Sequence, residues 1–417
     1  MLSKQFRYIP YIFFFVSIFD NVVLTFGVEN FGLSFFITRV LQIAEIYFIG
    51  LTLLYLKQHY VVLNEKRKYL LFFYLYCMAY FCYGLYKLFF SSDTLNSRAA
   101  TASCLGFMQV GMIFFFQYEE VFIKYSRLWL NKIPLVILFF MLPFVNFFNW
   151  EIEFVPLCLF LLLWDSLSKR HRLLLIALIL WCLFFNGQRA QIARIGFFLL
   201  IALGSKTFLF KKYVLNTANI ILYVFPITMF ILASLDIFNI FSDSSQVTGS
   251  ENIEVAGESL DDDTRTFLYA ESINDAIKDN TVLYGKSPAS GYYSPTFERM
   301  RNELSYHRLS EVFVINIFVW CGIPGVLFFM LLYMYSSFRC LGKSNNRYMK
   351  MFGLAISVSW LMDWFANSNY AMGVYHTIIY FMMGLSLNDK LLKMKDLEFK
   401  NYFKQKIYGL TYKRQSK

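Results

Sequence analysis

Residues 310–336 read SEVFVINIFVWCGIPGVLFFMLLYMYS, a stretch in which Glu311 is the only charged side chain. An apolar run of this length can cross the roughly 30 Å hydrocarbon core of a bilayer as a helix. Similar runs recur along the 417 residues, of which 58% are hydrophobic and 16% charged, against about 25% charged in soluble domains. The sequence therefore predicts an all-α, polytopic integral membrane protein.

We predict twelve transmembrane helices, joined by short connectors and by one large external loop that contains short helices. Their approximate bounds are 8–26, 32–56, 69–90, 99–118, 133–149, 152–167, 173–186, 190–205, 214–235, 310–336, 350–366 and 370–387. The first run has no small-residue cleavage site after it, which favours a retained helix over a removed signal peptide. The chain then divides into transmembrane helices at 1–235, the large loop at 236–309, transmembrane helices at 310–390 and a basic tail at 391–417.

The basic residues are unevenly distributed between the two sides of the predicted bundle. Connectors on the side of the N-terminus, such as 57–68 and 206–213, hold most of the 39 Lys and Arg residues, whereas 27–31 and 367–369 hold none. By the positive-inside rule, both termini are cytoplasmic and the loop 236–309 is external. That loop has 13 acidic and 6 basic residues. The net charge of +11 therefore lies near lipid headgroups, and nucleic acid is not an expected partner.

All seven cysteines lie in or at the ends of predicted spans, and the large loop has none. Neither a disulfide framework nor a CxxC metal site is indicated, so the cysteines are expected to be buried apolar residues. Gly285-Lys286-Ser287 is not a nucleotide phosphate-binding loop, because Asn280 stands where that motif requires a glycine. We expect no metal and no cofactor.

Several charged residues fall inside predicted spans, where a charge is costly and usually faces a cavity or a partner. Most of them lie toward the predicted outer surface. They are Asp20, Arg39, Lys87 and Asp363 in the outer third of their spans, and Arg98, Arg189 and Arg194 at or just below the surface. Any one of them could snorkel or pair locally, but the set indicates a cationic cavity that opens outward.

Two short predicted spans meet at the hairpin 186–191, which must therefore lie close to the hydrocarbon. Arg189 and Arg194 are five residues apart, so their side chains diverge by about 140° on a helix. A guanidinium group remains charged and can bind phosphate with two parallel hydrogen bonds, which suits a lipid diphosphate at this depth. The alternative is an interfacial arginine that contacts phospholipid headgroups.

Two further candidate sites belong to the large loop. Asp263 or Thr264 is predicted to cap an amphipathic helix at 266–280, which places Arg265 in its first turn as an anion site or as a partner of nearby aspartates. His307 precedes Glu311 by one helical turn where the loop re-enters the membrane. This pair indicates an imidazole whose tautomer and pKa are set by the glutamate, or an ordinary interfacial histidine beside a helix-start glutamate.

Four segments between residues 170 and 390 resemble, in order and spacing, the O-antigen polymerase and O-antigen ligase superfamily of bacterial surface polysaccharide assembly. They are 185–190, with Gln188 where the family has serine; Asp263-Thr264-Arg265 before a helix; 283–288; and 307–311 followed by 321–325. The resemblance implies a glycosyltransferase of the bacterial cytoplasmic membrane that uses neither a metal nor a nucleotide sugar. Its donor and acceptor would be glycans linked to undecaprenyl diphosphate, and its partners membrane lipids, a flippase and a chain-length regulator.

The resemblance also implies roles for individual residues. Arginines would stabilise the leaving diphosphate, the histidine would serve as base with the glutamate orienting it, and tyrosines would bind sugar unless they form the core of the loop. The implied catalytic residues are Arg189, Arg265 and His307, and the implied substrate-binding residues are Arg194, Arg39, Glu311, Tyr292 and Tyr293. The alternatives are a ligase that transfers the glycan to a lipid A core, a polysaccharide transporter or flippase, and a scaffold for partner enzymes.

Overall fold

A computed structural model describes most of the helical part of the chain. The described residues are 6, 8, 11, 31–90, 95, 97–131, 158–185, 189–207, 210–234, 254–255, 258–259, 266–296, 298, 307–365 and 373–409. Helices dominate these ranges, as the sequence predicts.

In the described residues, the first half of the chain forms the following helices and 3-10 turns. They are α1 (Phe31–Lys66), α2 (Lys68–Phe90), α3 (Ser97–Phe107), a 3-10 turn (Met108–Met112), α4 (Ile113–Phe116), α5 (Glu119–Asn131) and a second 3-10 turn (Trp164–Ser166). The segment 158–162 before the second turn is also helical.

Where the structure describes it, the second half of the chain forms helices and small antiparallel strand pairs. The helices are α6 (Lys169–Phe185), α7 (Arg189–Gly204), α8 (Lys212–Ser234), α9 (Thr266–Lys278), α10 (Phe313–Lys343), α11 (Arg347–Asp363), α12 (Val374–Ser386), α13 (Asp389–Lys393) and α14 (Asp396–Tyr408). Strand β1 (Glu254–Val255) pairs with β2 (Glu258–Ser259), and β3 (Tyr292–Tyr293) pairs with β4 (His307–Arg308).

Five described helical segments are long and apolar enough to cross a membrane. They are Arg39–Leu63, Lys68–Phe90, Ala99–Phe116, Lys212–Phe230 and Phe313–Lys343, and Ile192–Gly204 is a shorter apolar helix. Large apolar side chains remain exposed on α1, α2, α7 and α8, as expected for helices that face lipid. Tyr8 and Tyr11 are the described residues of the predicted span 8–26, and the span 133–149 lies outside the described residues, so the number twelve stays a prediction.

Helix α11 is the centre of the bundle. Helices α7, α8, α10 and α12 all pack against it, and every residue from Met351 to Asp363 is buried. Its start is capped by Asn346, whose side-chain oxygen accepts a hydrogen bond from the Met349 N–H at 2.9 Å. A helix buried on all sides holds its polar side chains in fixed positions, which matters for Asp363 at its last turn.

Helix α14 folds back onto the basic end of the bundle. Its side chains Phe399, Phe403 and Ile407 are buried, and Phe403 packs against Phe122 of α5 with ring centroids 5.5 Å apart. The guanidinium of Arg127 donates to the carbonyl of Lys406 at 2.8 Å. Residues 396–408 of the predicted basic tail therefore form a packed helix.

The large loop is attached to a break in α10. Gly322 has φ +67° inside that helix, and Pro324 follows without an N–H group, so the helical hydrogen-bond ladder is interrupted. The loop supplies replacement partners: the Lys286 N–H donates to the Val319 carbonyl at 2.7 Å, and the Ile323 N–H donates to the Val282 carbonyl at 3.0 Å. The loop backbone thereby becomes part of the membrane bundle.

Candidate functional site

Charged and hydroxyl-bearing side chains meet at the ends of α7, α11 and α12 that lie opposite the basic connectors. We call this group the buried polar cluster; its members are Arg194, Tyr333, Asp363, Tyr375 and His376, all of which are buried. Asp363 is the last residue of α11, and Tyr375 and His376 are in the first turn of α12. The antiparallel course of α7 and α11 brings Arg194 to the same level.

The cluster is organised around the carboxylate of Asp363. The hydroxyl of Tyr333 donates to its Oδ2 at 2.7 Å, and Nε2 of His376 lies 3.9 Å from its Oδ1. The His376 ring stacks on Phe313, with centroids 4.5 Å apart, which holds the imidazole in place. A buried carboxylate requires such partners, because an unpaired charge in an apolar interior costs several kcal/mol.

The positive charge of the cluster comes from Arg194. Its guanidinium carbon lies 4.2 Å from the centroid of the Tyr375 ring, a cation–π geometry. Tyr375 interacts electrostatically with both Arg194 and Asp363, and its hydroxyl donates to the Ser359 carbonyl at 3.3 Å. One aromatic ring therefore connects the two opposite charges, and the predicted substrate-binding residue Arg194 is a buried member of this network.

The helix of the large loop contacts the residue that follows Asp363. The Tyr269 hydroxyl of α9 donates to the carbonyl of Trp364, the residue after Asp363, and the two rings stack 6.5 Å apart. Phe230 of α8 packs against the Tyr269 ring at 5.3 Å. The first turn of α9 is thus fixed at the C-terminal end of α11.

This placement bears on the two arginines predicted to hold the diphosphate. Arg265 lies outside the described residues and directly precedes Thr266, the first residue of α9. Arg189 begins α7, about 7.5 Å along the helix axis from Arg194, and its side chain is outside the described part of the structure. Both positions adjoin elements that converge on the buried polar cluster.

The expected pairing of His307 with Glu311 is wrong. Residues 307–311 are not helical: His307 is in β4, and α10 begins only at Phe313, so a four-residue spacing does not bring the two side chains together. Glu311 is exposed and its carboxylate accepts from the Arg308 guanidinium at 3.2 Å. His307 is exposed beside Tyr293, with ring centroids 5.9 Å apart.

The remaining predicted residues have different surroundings. Tyr292 is fully buried and belongs to the hydrophobic core, which favours the alternative reading of this residue as loop core. Tyr293 is half-buried, and its hydroxyl donates to the Glu298 carboxylate. Arg39 is half-buried on α1, which packs chiefly against α2 and α3, and it donates to Gln42 Oε1 at 2.8 Å.

Sequence reasoning missed three members of the cluster, which are Tyr333, Tyr375 and His376. Tyr333 is one of 29 tyrosines, and no local pattern distinguishes it. His376 has no local signal either, because its acidic neighbour Asp363 belongs to a different helix. The position of Asp363 within an apolar span could have indicated that such residues exist, since a carboxylate in a span requires a buried partner.

Among the residues that the structure describes, no three His, Cys, Asp or Glu side chains form a group that could hold a metal ion. No protein-family model matches the chain, and no curated protein or solved structure does so either.

Proposed function

We propose that the chain is an integral-membrane glycosyltransferase that polymerises oligosaccharide repeat units linked to undecaprenyl diphosphate, for an O-antigen or a capsule. The reaction takes place at the outer face of the bacterial cytoplasmic membrane and uses no metal or cofactor. One observation carries the proposal. The helix that follows Arg265 contacts the C-terminal end of α11, and the helix that begins at Arg189 packs against α11 and carries the buried Arg194.

The chemistry requires positive charge at the leaving group. When undecaprenyl diphosphate departs, negative charge develops on its phosphate oxygens, and fixed guanidinium groups stabilise that charge most strongly in the transition state. Arg189 and Arg265 hold the diphosphate in this proposal. Arg194 lies deeper, where its guanidinium packs on the Tyr375 ring, and it contributes its charge from below the site.

The acceptor hydroxyl needs a group that orients it and removes its proton. His307 remains our candidate, because its exposed ring lies beside Tyr293 on the strand that leads into α10. Phe313, whose ring contacts His376, is six positions after His307. A fully extended chain of six residues spans at most about 20 Å. Glu311 has no orienting role in the proposal, since it pairs with Arg308.

The decisive experiment combines a deletion strain with purified protein. Cells that lack the protein are expected to carry a surface glycan of one repeat, and reintroducing the gene restores the polymer. Complete loss of surface glycan would instead favour the ligase. Purified protein given lipid-linked repeats already on its outer side is expected to elongate them, and failure to do so favours a transporter. Normal glycan length with Arg265→Ala would favour a scaffold.

A further inference from the structure

An apolar groove lies between α6 and α7 at the end of the bundle opposite the buried polar cluster. Its volume is about 400 Å³, within the range of roughly 300–1,000 Å³ of small-molecule sites. The groove runs beside the end of α7 from Leu199 to Leu203, about 6 Å along the helix axis, and continues to Lys206 just after the helix. Its apolar lining includes Leu161, Ile176, Leu180, Leu199, Leu203 and Met351.

The groove has one polar end, formed by Asp165 and Lys206. Asp165 is held in the 3-10 turn by two cations: Lys206 Nζ lies 3.0 Å from Oδ1, and Arg347 Nη2 lies 2.6 Å from Oδ2. The Lys206 side chain is nevertheless 56% exposed. Because an ammonium group has three donors, Lys206 can bind a second anion at the mouth of the groove.

Positive charge exceeds negative charge around this mouth. The basic side chains in contact with Asp165 or within electrostatic range of it are Lys206, Arg347, Arg172, Lys400 and Lys404. The acidic side chains among these described neighbours are Asp165 and Asp396, which pairs with Arg347. Burial and the charges of Lys400 and Arg172 lower the pKa of Lys404, an effect expected where cations remain incompletely neutralised.

We propose that this groove binds an anionic phospholipid of the leaflet on the basic side of the protein, the cytoplasmic leaflet in the predicted orientation. One acyl chain lies between α6 and α7 against the apolar side chains. The phosphate group lies at Lys206, within the field of Arg172 and Lys404. An apolar channel at membrane depth that ends in excess positive charge matches both parts of such a lipid. The site is separate from the proposed glycosyl transfer and does not depend on it.

The test is native mass spectrometry of the full-length protein in detergent, titrated with phosphatidylglycerol or with zwitterionic phosphatidylcholine. We expect tighter retention of phosphatidylglycerol by the wild type. Lys206→Ala should bind it about fivefold more weakly, the contribution of one basic residue near an anionic lipid. Lys390→Ala is the matched control, because Lys390 is 58% exposed and pairs with Glu119 at 2.7 Å, away from the groove. This control should bind like the wild type.

A second pair of variants tests the apolar part. Ala202→Phe fills the groove and should weaken retention of phosphatidylglycerol, whereas Leu200→Phe, at a position of α7 that is 67% exposed, should not. A phosphatidylglycerol with a photoreactive acyl chain should cross-link to peptides of α6 and α7 in the unmodified protein, a result that needs no variant. Equal retention of both lipids, equal losses in Lys206→Ala and Lys390→Ala, or cross-links confined to other helices would each overturn the proposal.

Discussion

Replacing Gly322 by alanine tests whether the loop and the break in α10 form one structural unit. Gly322 has φ +67° and ψ −168°, a conformation essentially restricted to glycine, and forcing alanine into it costs about 1–3 kcal/mol. The new methyl group would also lie 2.5 Å from the carbonyl carbon and 2.6 Å from the carbonyl oxygen of Leu283. Overpacking of this kind costs a further 1–3 kcal/mol or so, because backbone atoms must shift. We expect Gly322→Ala to lower the free energy of unfolding by about 2–6 kcal/mol.

The assay is reversible unfolding of the purified protein in mixed detergent micelles, followed by tryptophan fluorescence. Gly342→Ala is the control in the same helix, because nothing lies within 4 Å of its added methyl group. Alanine favours a helix over glycine, so this variant should be unchanged or more stable by up to about 1 kcal/mol. An unfolding free energy of Gly322→Ala equal to that of the wild type would refute the reasoning.

Gly285→Ala tests the same contact between the loop and α10, with the added methyl group on the loop. Gly285 has φ +69°, and a methyl group there would overlap the backbone of Trp320 and Cys321. Both substitutions push apart the same two backbone segments. The second substitution should therefore lower the free energy of unfolding by less when the first is already present. We expect the double variant to fall short of additivity by about 1 kcal/mol or more. Simple additivity would mean that the two glycines act separately.

Three further outcomes follow from individual contacts. Tyr333→Phe removes a donor to a buried carboxylate and should lower the free energy of unfolding by about 1–3 kcal/mol. Tyr335→Phe, at an exposed position of the same helix, should change the free energy of unfolding little. Burial and the charge of Arg170 lower the pKa of His171 in its basic connector. The neutral imidazole is therefore favoured in the folded state, so the contribution of His171 to stability is complete above about pH 6.5 and declines as the pH falls through the lowered pKa. The unfolding temperature of the wild type should therefore fall more on acidification than that of His171→Gln. In the proposed polymerase, Arg189→Lys should lose about 100-fold or more of the polymerising rate, nearly as much as Arg189→Ala, because lysine cannot form the two parallel hydrogen bonds. A full-length glycan ladder from the lysine variant would contradict diphosphate binding at Arg189.

Local chemistry was sufficient for two of the helices that position the site. The apolar run at 310–336 predicts a membrane helix, and the structure has one at Phe313–Lys343. The repeating apolar residues of the large loop predict the helix 266–280, which the structure has at Thr266–Lys278. Each of these predictions depends on side-chain periodicity within one segment, and that information is contained in neighbouring residues.

The site depended on contacts between distant segments. A four-residue spacing brings side chains together only within a helix, so the pairing of His307 with Glu311 was wrong once the chain at that point proved extended. The sequence indicated that Arg194 and Asp363 lie at similar depth. Only the packing of α7 and α12 on α11 brings both charges to Tyr375 and buries them together. Hydropathy and spacing determine which segments enter the membrane, but the partners of a buried charge are set by how helices far apart in the chain pack against one another.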